Sequence, residues 1–286
     1  IWPDGEETGQ QAAVVQAVRS RFCVISGGPG TGKTTTLSRV LALLARQALA
    51  QGGRALPRIL MVAPTGKAAA RMTEAVQPLP DAVDDPGQLP IALREVVRQL
   101  RPVASTIHRA MGTKRGSLTE FWASAAQPLA ADVVIVDEAS MVALPLMTKV
   151  VEAVDPRARL ILVGDEDQLA SVEAGAALAD ICAAGRRGPL AGSIVHLTRN
   201  YRSEGSPGIL ALADAINRGD VAAVLAILRD PRWAGELDWA QPVPKKGLPG
   251  RTRDDLALRL SPGLNAATAG TGSEAAAAAL KAQGAF

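Results

Sequence analysis

The residues whose types and spacing most clearly imply chemistry are residues 27–34, which read Gly-Gly-Pro-Gly-Thr-Gly-Lys-Thr. This is the G-x-x-x-x-G-K-T pattern of a phosphate-binding loop. Glycines let backbone N–H groups turn toward phosphate oxygens, and the following helix adds the positive end of its dipole. Lys33 would neutralise the β- and γ-phosphates of a nucleotide, and the Thr34 hydroxyl would bind Mg²⁺. The alternative is a chance match in a chain with 27 glycines.

The sequence on either side of this loop favours the phosphate-binding interpretation. An apolar run at residues 22–25 is long enough for a buried strand, and residues 35–50 carry apolar side chains at helical spacing. A strand, a glycine loop and a helix are the arrangement that this motif requires. The residues that we expect to contact a nucleotide are Gly27, Gly28, Pro29, Gly30, Thr31, Gly32, Lys33, Thr34 and Thr35.

A second chemical motif ends the run Val-Val-Ile-Val-Asp-Glu at residues 133–138. Its β-branched residues are typical of a central parallel strand. At the end of that strand, Asp137 would bind Mg²⁺, and Glu138 would orient and deprotonate an attacking water. The alternative is an acidic helix start, because the helix dipole favours carboxylates there.

Three further apolar runs, at residues 59–63, 160–165 and 194–197, predict additional strands. The first is followed by a polar turn at residues 65–67, at the edge where an open parallel sheet binds ligands. The second is followed by Gln168, which would hydrogen-bond a γ-phosphate or serve as an ordinary loop amide. The third contains His196, which we expect to be a packed core residue rather than a ligand.

Composition limits the classes of partner. The 286-residue chain has a net charge of +3 and 3% aromatic residues. The charge permits a nucleic-acid partner without arguing for one, and few aromatic residues count against extensive base stacking. No apolar run approaches the ~20 residues of a membrane span, so we expect no membrane partner. Cys23 and Cys182 lie far apart in apolar surroundings, which favours buried thiols in a reducing cytoplasm over a disulfide.

Two segments depart from the alternation of strands and helices. Residues 112–128 interrupt it and carry the adjacent aromatic residues Phe121 and Trp122, which predicts a small inserted subdomain. Residues 241–286 are rich first in Pro, Gly, Lys and Arg and then in Ala, which predicts an irregular or truncated tail. The chain begins with Ile1 rather than Met, which we interpret as the start of a piece of a longer protein.

In this order, the motifs resemble those of superfamily-1 DNA helicases, and among them the RecD family, the alpha subunits of exodeoxyribonuclease V. The similarity extends from about Gln10 to about Arg229. The segments that carry it are residues 27–36 (GGPGTGKTTT), 63–72 (APTGKAAARM), 105–109 (STIHR), 136–142 (VDEASMV), 164–175 (GDEDQLASVEAG) and 200–203 (NYRS).

The resemblance implies an α/β fold of the P-loop NTPase class, with a RecA-like parallel sheet and helices on both faces. Residues 1–194 would form the first RecA-like lobe, with residues 112–128 as the small subdomain that meets the DNA fork. Residues 195–240 would begin a second RecA-like lobe. The late motifs of that lobe and the N-terminal docking domain of the family are not recognisable in this sequence.

The resemblance also implies roles for single residues. Gln10 would read the adenine edge, although a glutamine near a helix start is also a common solvated cap. Gln168 would couple the γ-phosphate to motion. Arg202 would reach the γ-phosphate from the second lobe as an arginine finger, or would only pair with a surface carboxylate. The residues that would contact the backbone of single-stranded DNA are Thr65, Lys67, Thr106 and His108.

The function that the resemblance implies is an ATP- and Mg²⁺-dependent 5′-to-3′ DNA helicase. It would act on single-stranded DNA at a duplex end, together with the beta and gamma subunits RecB and RecC, in recombinational repair of double-strand breaks. The alternatives are a stand-alone RecD-like helicase, the helicase part of a conjugative relaxase, and a nucleotide-binding fragment without turnover.

Overall fold

The predicted strands assemble into one parallel sheet in the computed structural model, which describes residues 9–50, 56–76, 100, 104–114, 116–117, 119–168, 177–188, 190–203 and 205–237. Within those ranges the sheet has six strands, in the spatial order β3-β2-β4-β5-β1-β6, and every neighbouring pair is parallel. The strands are β1 Phe22–Gly27, β2 Ile59–Ala63, β3 Ala104–Thr106, β4 Val133–Val136, β5 Arg159–Gly164 and β6 Ile194–Leu197.

Helices cover both faces of this sheet, which confirms the predicted P-loop NTPase fold class. The described helices are α1 Gly9–Arg19, α2 Lys33–Ala50, α3 Gly66–Val76, α4 Ile107–Met111, α5 Leu144–Ala153, α6 Ala177–Gly185, α7 Pro207–Asn217 and α8 Val221–Arg229. No helix within the described ranges has both the length and the apolar character needed to cross a lipid bilayer.

The alternating side chains of β4 explain why the sheet has two cores. All four of its residues are buried. Ile135 faces the cluster that contains α1, α2 and α3, whereas Val134 and Val136 face the cluster that contains α5 and α6. Successive side chains of a strand point to opposite faces, so an uninterrupted apolar run is required for a strand covered on both sides.

Parallel pairing places the carboxyl ends of all six strands at one edge of the sheet. Ser26 at the end of β1 pairs with Gly164 at the end of β5. Val136 at the end of β4 pairs with Val62 near the end of β2. The segments that follow these strands therefore begin side by side, and they are the segments that contain the predicted site residues.

Two strands differ from the sequence-based expectations. Strand β3 was not predicted, because its three residues are too few to show a pattern; it pairs with β2, from Met61 opposite Ala104 to Ala63 opposite Thr106. Strand β6 was expected to open the second lobe, but it pairs with β1 in this sheet, from Val24 opposite Ile194.

The described residues divide into two compact units, one that ends at Gly205 and one that begins at Ser206. The first unit contains the whole sheet, so its end lies after β6 rather than at residue 194. In the second unit, α7 packs on α8, and the side chain of Asp220 caps α8 by accepting from the N–H of Ala223 at 2.9 Å. That this unit begins a second RecA-like lobe stays a prediction. Residues 241–286 lie outside the described residues.

The predicted insertion is a short irregular hairpin. Thr113 and Phe121 form an antiparallel bridge, as do Ser124 and Gln127. The Phe121 side chain is buried in the core of the first unit. Trp122 is 61% exposed, and the ammonium group of Lys114 lies 5.5 Å from the centre of its ring.

Shortening a buried side chain of β4 tests this packing. We expect Ile135→Ala to lower the free energy of unfolding by about 2–5 kcal/mol, because it leaves a cavity beneath α1 and α2. Val151→Ala, at a position that is 48% exposed on α5, is the matched control and should change stability by less than about 0.5 kcal/mol. Urea unfolding followed by circular dichroism measures both. Equal losses in the two variants would contradict the assignment of Ile135 to the core.

Candidate nucleotide-binding site

The glycine loop lies between the end of β1 at Gly27 and the start of α2 at Lys33. It is closed by its own hydrogen bonds, since the Thr31 hydroxyl donates to the Gly28 carbonyl at 2.8 Å. Gly30 and Gly32 have φ angles of +80° and +79°, which other residues rarely adopt. Their left-handed conformations reverse the chain within five residues and start α2 at the edge of the sheet.

Gly30 is further restricted by a close neighbour. A Cβ atom there would lie 2.5 Å from the Asn200 side-chain oxygen and 2.6 Å from the Arg202 Cβ. The backbone N–H of Tyr201 donates to the Gly30 carbonyl at 2.9 Å. The segment after β6 therefore rests directly on the phosphate loop, and only glycine permits this approach.

Arg202 lies in that segment, which belongs to the first compact unit. The expectation placed it at the entrance to a second lobe. The Asn200 side chain shapes the segment by accepting from the N–H groups of Arg202 and Ser203 at 3.1 and 3.2 Å. Arg202 is thus held beside the loop by local structure, and its role as an arginine finger stays a prediction.

The Lys33 ammonium group lies at the mouth of the loop. It donates to the Gly27 carbonyl at 2.5 Å and to the Gly28 carbonyl at 3.0 Å. An ammonium group has three donors, so one remains for a further acceptor such as a phosphate oxygen. That Lys33 neutralises the β- and γ-phosphates stays a prediction.

Asp137 begins the loop that follows β4. Its N–H donates to the Val62 carbonyl of β2 at 2.9 Å, and its carboxylate accepts from the N–H of Glu138 at 2.9 Å. Burial raises the pKa of the Asp137 carboxyl, while the charge of Lys33 acts in the opposite direction. A carboxylate that is buried at a cost in solvation is well suited to a cation.

The predicted Mg²⁺ ligands fit this cation. Mg²⁺ prefers oxygen ligands and is usually held by one or two protein groups together with nucleotide phosphates. The Asp137 carboxylate and the Thr34 hydroxyl, at the start of α2, provide such oxygens at two segments of one sheet edge. Whether they bind the metal stays a prediction.

Glu138 has an unusual backbone conformation. Its φ of 50° and ψ of 40° make it the only non-glycine residue with positive φ within the described ranges. A left-handed conformation costs roughly 1–2 kcal/mol for a residue with a Cβ. The Glu138 carbonyl accepts from the N–H of Met141 at 2.9 Å and starts the short 3₁₀ turn Ala139–Met141. Strain of this kind persists where the surroundings enforce it, often at functional residues.

Gln168 lies in the turn that follows β5. Its backbone N–H donates to the Asp165 carbonyl at 3.3 Å, and its side-chain oxygen accepts from the Ser140 hydroxyl at 3.5 Å. Ser140 belongs to the 3₁₀ turn after Glu138. The structure therefore brings Gln168 into contact with the turn that follows Glu138, and its role as a γ-phosphate sensor stays a prediction.

Gln10 is buried in α1, with 6% of its surface exposed. Its amide donates to the Thr31 carbonyl at 3.2 Å, and its oxygen accepts from the Arg39 guanidinium at 2.6 Å. Burial lowers the pKa of Arg39. The sequence analysis missed Arg39, whose only signal is a basic residue among the apolar positions of α2. In this structure Gln10 ties α1 to the phosphate loop, and its role in adenine recognition stays a prediction.

The four predicted DNA contacts lie at the far end of the same edge. The hydroxyls of Thr65 and Thr106 accept from the N–H groups of Ala68 and Arg109 at 3.2 and 3.3 Å, so both threonines are helix N-caps. Lys67 and His108 are exposed. The His108 ring lies 5.7 Å from that of Phe121, beside the insertion.

Two predictions about other side chains have different outcomes. Cys23 and Cys182 are both buried free thiols, as expected, and burial raises the pKa of each to about 12. The expectation that His196 is a core residue is wrong. Its side chain is 40% exposed, and its Nδ1 lies 3.0 Å from the Glu166 carboxylate. Its neighbour Leu197 is the buried residue at this end of β6.

Comparison with known proteins agrees with this geometry. Residues 10–174 match the family described as "AAA domain", and the chain belongs to that family. The chain is also similar to several RecD subunits. It is 46% identical to the RecBCD enzyme subunit RecD of Mycolicibacterium smegmatis over 241 residues, which are 84% of this chain and 40% of that protein.

Two further relatives extend the comparison. The RecBCD enzyme subunit RecD of Mycobacterium tuberculosis is 43% identical over 86% of this chain and 40% of its own length. The ATP-dependent RecD2 DNA helicase of Deinococcus radiodurans is 33% identical over 75% of this chain and 24% of its own length. The chain thus spans about two fifths of the length of the RecD subunits that it matches.

The free-energy cost of burying the Asp137 carboxylate can be measured from its effect on the stability of the fold. Because its pKa is raised in the folded state, the free energy of unfolding should fall as the pH rises through that pKa. We therefore expect Asp137→Asn to raise the melting temperature at neutral pH without Mg²⁺, and the gain to disappear in acid. Thermal unfolding across a pH series measures this.

Asp155→Asn is the control of opposite sign. Hydrogen bonds from Arg157 lower the pKa of Asp155 to about 2, so its contribution is present at neutral pH and is lost as the pH falls. The Asn variant should therefore be no more stable than the unaltered chain at neutral pH. Destabilisation of Asp137→Asn at every pH would show that burial of its charge is not costly.

Proposed function

We propose that this chain is the ATP-binding lobe of a DNA helicase subunit of the exodeoxyribonuclease V type, acting in recombinational repair of double-strand breaks. The observation that carries the proposal is the juxtaposition of the Lys33 loop with Asp137 and Glu138 at one sheet edge. The 46% identity to a RecBCD enzyme subunit RecD supports the choice within the helicases. Reducing cytoplasm is the compartment in which two buried free thiols are expected.

Each site residue has a distinct part in the proposed reaction. The ammonium group of Lys33 neutralises the β- and γ-phosphates, and the loop N–H groups hold them. The Thr34 hydroxyl and the Asp137 carboxylate hold Mg²⁺, which supplies further neutralisation of phosphate charge when bound. Glu138 orients the attacking water and accepts its proton. Arg202, beside Gly30, adds positive charge to the leaving phosphoryl group.

DNA contact is proposed at the ends of β2 and β3. Thr65, Lys67, Thr106 and His108 present hydroxyl, ammonium and imidazole groups there, which suit the phosphates of single-stranded DNA better than base edges. The RecB and RecC subunits are the proposed partners, and 5′-to-3′ is the proposed direction, both from the likeness to RecD. In this proposal ATP turnover in the nucleotide site drives movement along that strand.

A stand-alone helicase is the second candidate, because the RecD2 DNA helicase of Deinococcus radiodurans is 33% identical over 75% of this chain. The two candidates differ in their partners. Co-purification of the protein with beta and gamma subunits from its own source would favour the RecBCD-type assembly. Unwinding of a 5′-tailed duplex by the protein alone would favour the stand-alone helicase.

The first test of the proposed function removes the Lys33 charge. We expect Lys33→Ala to reduce ATP hydrolysis by 10²-fold or more, on the order of the loss when a transition-state charge is left unstabilised. The measurement is phosphate release with Mg²⁺-ATP, with and without single-stranded DNA. Lys149→Ala removes an exposed ammonium group on α5 and is the matched control. Equal turnover by the Lys33 variant would refute an ATPase site at this loop.

The second test separates binding from hydrolysis. Glu138→Gln should stop turnover while leaving the affinity for Mg²⁺-ATP nearly unchanged, because it removes the base and preserves the side-chain shape and Asp137. Titration with a fluorescent ATP analogue measures binding, and phosphate release measures turnover. If the affinity for Mg²⁺-ATP falls together with the rate of phosphate release, Glu138 binds the metal or stabilises the fold. If the unaltered chain binds ATP and releases no phosphate with DNA present, it is a binding fragment without turnover.

A further inference from the structure

The carboxylate of Glu166 lies among polar side chains, and the proposed function gives it no role. Its side chain is 14% exposed and lies in the turn that follows β5, two residues before Gln168. One carboxylate oxygen lies 3.0 Å from His196 Nδ1, and the other lies 3.3 Å from the Arg186 guanidinium. The neutral thiol of Cys182 is a third hydrogen-bond partner.

The partners of Glu166 come from separate elements. His196 lies on β6, Cys182 lies in α6, and Arg186 follows the end of that helix. The backbone N–H of Glu166 also donates to the Ser26 hydroxyl at 3.3 Å, at the end of β1. One side chain therefore joins the turn after β5 to the strand on the far side of β1.

This connection joins the turn that carries Gln168 to the segment that contacts the phosphate loop. On one side, the turn from Asp165 to Gln168 is held by its own hydrogen bonds and carries the residue proposed to sense the γ-phosphate. On the other side, β6 ends one residue after His196, and the chain continues to Tyr201, whose N–H contacts Gly30. Strands β5 and β6 do not pair with each other, because β1 lies between them.

We propose that Glu166 is a positioning residue that couples the Gln168 turn to the Asn200–Arg202 segment through its contact with His196. A change at Gln168 when the γ-phosphate is gained or lost moves the Glu166 carboxylate, and His196 carries that movement to β6 and to the segment over Gly30. The coupling rests on the proposed function, since it requires a nucleotide at the loop.

The chain offers a direct probe of this coupling. It contains one tyrosine, Tyr201, which lies on the segment that the coupling is expected to move. Incorporation of 3-fluorotyrosine therefore gives a single ¹⁹F resonance from that segment. The experiment compares this resonance with Mg²⁺-ADP and with a non-hydrolysable Mg²⁺-ATP analogue in the unaltered chain and in variants of the contact.

In the unaltered chain we expect the two nucleotides to give different chemical shifts. Glu166→Ala should abolish that difference and leave the affinity for ADP unchanged, because the contact with Ser26 is made by the backbone. Glu166→Gln should restore the difference, since its amide oxygen still accepts from His196. Arg186→Ala is the matched control, because it removes a partner of Glu166 without cutting the connection to β6.

His196 gives an independent pair of variants if Glu166→Ala disturbs folding. Its side chain is 40% exposed, so His196→Ala should be tolerated and should also abolish the difference in shift. His196→Asn places an amide N–H near the position of Nδ1 and should retain it. A purely structural role would lower stability in the Ala variants and leave the difference in chemical shift between the two nucleotides unchanged.

The outcomes separate the two hypotheses. Persistence of the full ADP-to-ATP difference in Glu166→Ala and His196→Ala would overturn the coupling, because Tyr201 would then be sensing the nucleotide directly. Identical resonances with both bound nucleotides in the unaltered chain would also overturn it and would leave the ATP site intact. Failure of the unaltered chain to bind either nucleotide would refute the proposed function, and the coupling with it.

Discussion

Parallel pairing of β1 with β5 on one side and β6 on the other is the constraint on which the rest of this structure depends. The glycine loop therefore follows a strand that has a neighbour on each side, rather than a strand at the margin of the sheet. The turn after β5 and the segment after β6 must then begin beside the loop. Strand β1 is hydrogen-bonded to a neighbour on each side, so the start of the loop can move little without disturbing both cores, whereas β6 has only β1 beside it in the described sheet.

The site and its surroundings also contain groups that are held in unfavourable environments. Burial opposes the charge of Asp137 and that of Arg39, and Glu138 adopts a left-handed backbone. The Lys33 ammonium group is turned onto loop carbonyls. The apolar sheet and helices stabilise the fold enough to hold these groups in place. In the proposed function, a site whose backbone is held in this way would lose little free energy to reorganisation on binding phosphates and a cation.

Several features of the fold and site could be predicted because their signals are local. An apolar run followed by glycines or carboxylates identifies a buried strand and the chemistry at its end, as for β1 with its loop and for β4 with Asp137. Strand β3 and the contacts of Gln10 could not be predicted in this way. Three residues carry no periodicity, and the buried pair of Gln10 and Arg39 joins positions 29 residues apart.

The sequence by itself predicted the class of fold through its resemblance to helicases. It also located the phosphate-loop motif and the carboxylate pair, because both motifs consist of particular residue types at short, regular spacing. Only the tertiary structure decided where β6 belongs, since an apolar run of four residues suits either lobe and strand pairing alone distinguishes them. The tertiary structure likewise shows that His196, which was expected in the core, is partly exposed and contacts Glu166. The alternation of side chains along a strand determines the face of the sheet on which a residue lies. Whether that side chain is covered or paired depends on its neighbours on the same face, and for His196 the neighbour is Glu166, 30 residues away in the sequence.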